Sequence, residues 1–418
     1  MTWKWLGRGL ATVAAVVSLT QPVFATPLVS PRPPHVRPEP ASDEGGLWYQ
    51  SEQAETVLRS QGDVIHDEAL NTYVRGVVCR VAQEYCDDLR VYVLNRPFVN
   101  ASMAPNGYTE VWSGLLLRAN DEAELAFVLS HETTHFAMNH TVLRARALRT
   151  QGNVMLAVQV GLLVAGAAVA ANAGSVQAMN DIMNDTQDLV NLSYLAALAI
   201  FFQYSRDQED EADRLGFGRT VQAGYDPRAA ADFWQAQLAE TAASDFSRVR
   251  NAGTRITIFN THPQTEDRLT KIQGLAVGRP AGGDSGHDRY RAAIRPFLAS
   301  WLRDDLRRRD YGQTLFVVNR LASTGDDLGV LSFFRGECYR LRREDGDAPR
   351  AAAAYEDAAT HPDAPPETWR ELGNTYQQMH DAVRARAAFE SYLAHAPQAQ
   401  DRWLVEASLR RIQTGGGQ

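Results

Sequence analysis

Hydrophobic positions recur at helical spacing along most of this chain, and the exceptions are short. Between residues 49 and 86, Val57, Leu58, Val64, Ile65, Leu70, Tyr73, Val74, Val77 and Val78 fall in a helical rhythm. Residues 90–94 read as a short strand. Asn106-Gly107 is a turn signal between Met103 and a second strand-like run over 108–112. A single helix is expected over 121–148. Asn120 or Asp121 can cap it, and Glu122 and Glu124 fall in its first turn. Helix is expected again from Asp213 to about Ala223, with Gly224 at its end. Residues 277–287, rich in Gly and Pro, read as a linker, and 288–414 reads helical throughout.

Two apolar stretches interrupt this pattern. Residues 154–171 have the length of a membrane span but are mostly Ala, Gly and Val and contain Gln159. Residues 189–202 are too short and contain Asn191 and Ser193. Arg144, Arg146 and Arg149 precede the first stretch and Arg206 follows the second. In an exported protein those flanks would oppose the usual charge bias of a span. A buried or membrane-apposed hairpin over 154–202, giving peripheral membrane contact, is therefore expected, with a true span as the competing reading.

Residues 1–25 read as a signal peptide. Lys4 and Arg8 precede an apolar run over 10–19, and Val23-Phe24-Ala25 offers a cleavage site. An uncleaved anchor is the alternative, and export to the periplasm follows from either. Residues 26–47 form a Pro-rich linker expected to be mobile. The length of 418 residues leaves room for two to three domains, and a net charge of −8 gives no footprint for nucleic acid. An oxidising compartment would allow one bridge among Cys79, Cys86 and Cys338. Cys79 and Cys86 are the natural pair. On one continuous helix their Cα atoms would stand roughly 10 Å apart, beyond the limit of about 7 Å for a disulfide. A bridge therefore requires the helix to end between them, and residues 85–88 could end it. Two buried thiols are the alternative. Cys338 is expected in the core of a helical segment.

The chemistry concentrates at His131-Glu132-Thr133-Thr134-His135. Two histidines four apart share one face of a helix and can bind one zinc ion. Glu132 is placed to serve as general base toward a water that the metal activates. The apolar flank Leu125, Ala126, Val128 and Leu129 puts the motif on a buried helix. A third ligand is expected in the acidic run over 205–213. Spacing alone leaves Glu209, Glu211 and Asp213 open, since one carboxylate can bind metal while another receives a ligand histidine's Nδ1 proton. His140 lies off the ligand face of a continuous helix and is read as structural.

Residues 125–135 (LAFVLSHETTH), 205–216 (SRDQEDEADRLG), 224–227 (GYDP), and Thr261-His262-Pro263 with Arg268 resemble zinc metalloproteases. That group includes the CAAX prenyl endopeptidases, the HtpX heat-shock proteases and the periplasmic BepA proteins. The resemblance covers roughly residues 48–275. It implies Glu209 as third ligand, Asp213 as a group supporting a ligand or donating a proton, and His262 as a ligand able to close the open metal position. Residues 100–115 are similar to the family's turn and edge strand, which can take an extended substrate by strand addition. In the tail, Trp369, Leu372, Gly373, Tyr376, Ala385, Phe389 and Pro397 match the tetratricopeptide pattern. One unit earlier, Gly336, Tyr339, Ala351 and Tyr355 match it with a short insertion. With this tail, the resemblance points to the BepA-like branch.

The expected architecture is therefore an α+β zincin of gluzincin type over 48–276, mostly helical, followed by an all-α tetratricopeptide-like array. The expected function is a zinc metalloendopeptidase with one zinc per chain, cutting misfolded or stalled envelope proteins. The repeat groove would recruit unfolded substrates or an outer-membrane assembly machine. A chaperone-like binding module with a latent protease site is the alternative.

Overall fold

The computed structural model describes residues 31–150, 204–251, 266–280 and 282–415. The expected signal peptide, the 154–202 hairpin and His262 lie outside the described residues. Helix α1 (Asp43–Arg59) is capped by Ser42, whose side chain accepts from the Gly45 N–H. Helix α2 (Glu68–Val81) is capped by Asp67, which accepts from the Leu70 N–H. Helix α2 stops at Val81 and a 3-10 turn follows over Gln83–Tyr85. The helix therefore ends between the two cysteines, and Cys79 and Cys86 are bridged with Cα atoms 4.7 Å apart. Closing so short a loop is expected to stabilise the fold by about 2–3 kcal/mol. Urea unfolding of the Cys79→Ser, Cys86→Ser double variant should show that loss. An unchanged midpoint would mean that the thiols are unpaired in solution.

Three strands follow: β1 (Arg90–Leu94), β2 (Ala101–Met103) and β3 (Tyr108–Trp112). Their order is β1-β3-β2, with β1 parallel and β2 antiparallel to β3. Gly107, at φ +85°, makes the turn into β3, and a Cβ there would lie 2.2 Å from the Asp88 carbonyl oxygen. Helices α3 (Ser113–Arg118) and α4 (Glu122–Ala137) continue from the sheet, and α4 is buried along its whole length. Asp121 caps α4 by accepting from the Glu124 N–H at 2.9 Å.

The helix expected over 121–148 is in fact two. Asn139 adopts φ +53°, a left-handed conformation that asparagine tolerates better than most residues. Its side-chain oxygen accepts from Arg32 Nε at 3.0 Å. Helix α5 (His140–Thr150) begins at the next residue. Arg32 also corrects the expectation of a mobile linker over 26–47. From residue 31 the chain is docked: the Arg32 N–H donates to the Ala137 carbonyl, and its guanidinium lies 4.4 Å over the Phe136 ring and pairs with Glu44. Helix α1 begins within that segment.

The remaining described helices are α6 (Arg206–Gln222), α7 (Ala229–Ala242), α8 (Ser247–Asn251), α9 (Glu266–Ala276), α10 (His287–Arg307), α11 (Tyr311–Ala322), α12 (Leu328–Arg342), α13 (Asp347–Ala359), α14 (Glu367–Gln378), α15 (Ala382–His395) and α16 (Arg402–Gly415). From α11 onward each helix packs on its sequence neighbour. A small-against-aromatic contact recurs here. A Cβ on Gly336 would come within 2.4 Å of the Tyr355 ring, and one on Gly373 within 2.5 Å of the Phe389 ring. Cys338 is buried in α12, and burial pushes its thiol well above its ordinary pKa.

The stretch that composition marks as a linker at 277–287 is largely a seam. The Asp284 N–H donates to the Gly224 carbonyl at 2.9 Å, and the Ser285 carbonyl accepts from the Ala123 N–H at 3.0 Å. These backbone bonds hold Asp284 against the turn after α6 and Ser285 against the start of α4, whatever their glycine neighbours would allow in an unfolded chain. Glu122 accepts from Arg289 Nε at 2.8 Å and Nη2 at 2.7 Å, and also from the hydroxyls of Tyr73 and Tyr225. Glu124 pairs with Arg320 of α11. One apolar core runs from Leu70 and Phe127 through Tyr290 and Trp301 to Phe389. Among the described residues, no helix is long and apolar enough to cross a membrane.

Candidate metal centre

The site forms where α4 and α6 cross closely and antiparallel. Ser205 and Gln208 close a capping box at the start of α6, with Ser205 Oγ accepting from the Gln208 N–H and Gln208 Oε1 from the Ser205 N–H. Farther along α6, Gly216 meets α4, where a Cβ would lie 2.9 Å from the His131 backbone nitrogen. Thr220 donates to Ser130 Oγ at 3.1 Å one turn on. This contact turns the face carrying Glu209 and Asp213 toward the two histidines.

His131 Nε2 and His135 Nε2 are 3.0 Å apart. Glu209 places Oε2 3.6 Å from the first and Oε1 3.7 Å from the second. Ligand atoms about 2.0–2.2 Å from a tetrahedral zinc ion stand about 3.3–3.5 Å from one another, and the observed separations bracket that range. These donor atoms all lie within 4.8 Å of one another, and every residue that supplies one is buried. The donor set therefore fits zinc, and three protein ligands leave a fourth position for a substrate or water.

Each imidazole is held from behind. His131 Nδ1 sits 2.9 Å from Asp213 Oδ1. Asp213 in turn accepts from Arg268 Nε at 2.8 Å and Nη2 at 2.7 Å, and Arg268 Nη1 reaches Glu209 Oε2 at 2.9 Å. Burial alone would raise the Asp213 carboxyl, but Arg268 and His131 outweigh it and hold it well below the usual carboxylate range. His135 Nδ1 sits 2.8 Å from His140 Nδ1, and His140 Nε2 is 3.1 Å from Glu211 Oε2. Tyr204 stacks on His135 with ring centroids 3.7 Å apart. Burial, then the negative charge of Glu132, raise the Tyr204 hydroxyl well above its ordinary pKa. Glu132 itself is 3% exposed.

The structure thus brings His131, His135, Glu209 and Asp213 together, with Glu132 next to His131 on the same buried helix. Three neighbours were missed or undervalued in the sequence. His140 was placed off the ligand face, but the break at Asn139 turns it onto His135. The asparagine was a usable signal, because left-handed asparagines end helices. Arg268 stood in the quoted family text without a part to play. Tyr204 gave no signal at all.

The sequence profile of peptidase family M48 matches residues 66–276, just over half of the chain. The chain belongs to peptidase family M48. The M48 metalloproteases are zinc-dependent. Among relatives, a candidate beta-barrel assembly-enhancing protease of Vibrio cholerae is 29% identical over 249 residues, covering 59% of this chain and 47% of its own. The beta-barrel assembly-enhancing protease of Escherichia coli is 25% identical over 244 residues, covering 57% and 45%. The mitochondrial metalloendopeptidase OMA1 of Schizosaccharomyces pombe is 26% identical over 204 residues, covering 48% and 51%. This M48 chain spans about half the length of the curated relatives it matches.

Proposed function

We propose that this M48 protein is a zinc endopeptidase that holds one zinc ion per chain on His131, His135 and Glu209. What supports the reading above all is the convergence of two imidazole Nε2 atoms and a carboxylate at separations that suit one tetrahedral ion. Zinc bound there would act as a Lewis acid on the scissile carbonyl and make water a better nucleophile at neutral pH. Glu132 takes the proton of the attacking water and passes it to the leaving amine. For Asp213, its ion pair with Arg268 favours support of His131 over proton donation, since a carboxylate held ionised has no proton to give.

The names of the Vibrio and Escherichia relatives speak of enhancing beta-barrel assembly; on that lead the substrates proposed here are misfolded or stalled envelope proteins, in quality control of outer-membrane protein assembly in the periplasm. The helices over 288–414 would act as a tetratricopeptide-like array that recruits substrate or assembly machinery. Recruitment and cleavage on one chain would raise the effective concentration.

One observation favours the second reading, a binding module with a latent protease. The site is nearly closed, with His131, His135 and Glu209 exposed by 4%, 1% and 3%. Zinc content and casein hydrolysis of the full chain and of Glu209→Gln test both readings. One zinc per chain with cleavage in wild type, both reduced in the variant, supports the endopeptidase. Zinc without cleavage supports the latent form, and no zinc in wild type overturns the site.

A further inference from the structure

We propose that His140 is a positioning residue for His135, linking it to Glu211 as a two-imidazole relay that fixes the tautomer from which His135 binds zinc. The proposal rests on the reading of His135 as a ligand. A carboxylate is acceptor-only, and Glu211 Oε2 faces His140 Nε2 at 3.1 Å. His140 Nε2 therefore carries the hydrogen and donates it. A neutral His140 then keeps its lone pair on Nδ1, which faces His135 Nδ1 at 2.8 Å. His135 must supply the proton for that bond, and its remaining lone pair sits on Nε2. That is the atom turned toward His131 Nε2 and Glu209.

The reverse order fails at both ends. If His140 Nδ1 were the donor, its Nε2 lone pair would face the lone pairs of a carboxylate oxygen. His135 Nε2 would also carry a proton into the donor set, where a metal needs a lone pair. One arrangement satisfies all three groups, and it leaves His135 competent to bind.

The two ligand histidines are thus supported differently. His131 has a carboxylate, Asp213, directly behind it. His135 has an imidazole interposed, because the helix breaks at Asn139 and the first residue of α5 lies against it. Helix α6 serves all three acidic positions: Glu209 in the donor set, Asp213 behind one imidazole and Glu211 behind the other, at the end of the relay. His140 is 1% exposed, whereas the Glu211 side chain is 34% exposed, so the relay runs from the buried site to the surface.

The test uses the full chain, stripped of metal and titrated with zinc alone against a chromogenic chelator. His140→Phe, which removes the acceptor, is expected to bind zinc about 10- to 100-fold more weakly. His140→Gln, whose side-chain oxygen can accept the same proton, is expected to stay close to wild type. Wild-type affinity in His140→Phe would overturn the relay. So would equal losses in both variants, because shape rather than hydrogen bonding would then be at work. A readout independent of any variant's folding is the histidine 15N spectrum of the wild-type protein. It should give His135 protonated at Nδ1 and His140 at Nε2, and the opposite pair would overturn the assignment. His135→Ala separates the ligand reading from the relay. If it binds zinc as wild type does, the ligand reading itself fails; if it loses zinc while His140→Phe does not, only the relay fails.

Discussion

Glu132→Gln is expected to lower kcat/KM for a peptide substrate by about 10²- to 10⁴-fold, the usual share of a general base, while zinc content stays at the wild-type level. Glutamine matches glutamate in shape, so the buried helix α4 keeps its packing. The variant loses only the capacity to take a proton from water. Glu132 is not among the converging donor atoms, which come from His131, His135 and Glu209, so the metal should remain. Parallel measurement of zinc by absorption spectrometry and of cleavage with a quenched fluorescent peptide makes the contrast. A Gln variant that keeps more than a tenth of the activity would remove Glu132 from the mechanism. A Gln variant that loses zinc would move it into the ligand set.

Arg118→Ala is expected to destabilise the fold by about 3–5 kcal/mol, a large part of the total stability of an ordinary domain. Arg118 is 3% exposed and donates Nε to both oxygens of Glu240, at 2.8 and 2.9 Å, and Nη2 to Asp305 Oδ1 at 2.8 Å. Its removal takes the guanidinium away from the buried Glu240 of α7 and leaves the buried Asp305 of α10 with Arg308 and Thr314 alone. Replacing all three residues by apolar side chains of similar volume should recover most of the loss, because the charge and its desolvation cost disappear together. Urea unfolding followed by circular dichroism compares the two. A cost below about 1 kcal/mol for the single variant, the size expected of exposed pairs, would mean that water reaches the triad.

The same triad shapes the acid limb of stability. Burial pushes Asp305 up, but Arg118 and Arg308 outweigh it and bring it down to about 2 from 3.8. A carboxylate with a depressed folded pKa contributes fully above its unfolded value, and the contribution fades as pH falls from 3.8 through about 2. Asp305→Asn should flatten the unfolding free energy over that window. An unchanged slope would locate acid sensitivity elsewhere.

Some of this architecture was legible in the sequence. His131 and His135 could be placed on one helix face because helical periodicity is a local property. The choice among Glu209, Glu211 and Asp213 could not be made by spacing, because it depends on how α6 is rotated against α4. Gly216 sets that rotation by what it lacks, and nothing in the acidic run records it. His140 is rightly read as no ligand, since it stays outside the donor set, but its contact with His135 could not be foreseen from a continuous helix, because Asn139 ends α4 just before it. The cysteine pair was legible as a condition, that the helix must end between them, and the 3-10 turn meets it. Glycine and proline near residues 31 and 283 signalled flexibility that the unfolded chain has. In the fold, those segments are held by partners far away in sequence, Asn139 and Phe136 for the first and Gly224 and Ala123 for the second.

Three successive residues at the start of α4 are gripped by parts of the chain beyond residue 276, where the family match ends: Glu122 by Arg289, Ala123 by Ser285 and Glu124 by Arg320. The tail is therefore not an accessory that can be shortened or exchanged without consequence for the catalytic half. A version cut after residue 276 would take Arg289 from Glu122, leaving it Arg80 at 3.4 Å, and Arg320 from Glu124, at the head of the helix that carries the histidines. A graft that carries residues 277–322 along with the half that bears the histidines is the one that should inherit those three attachments.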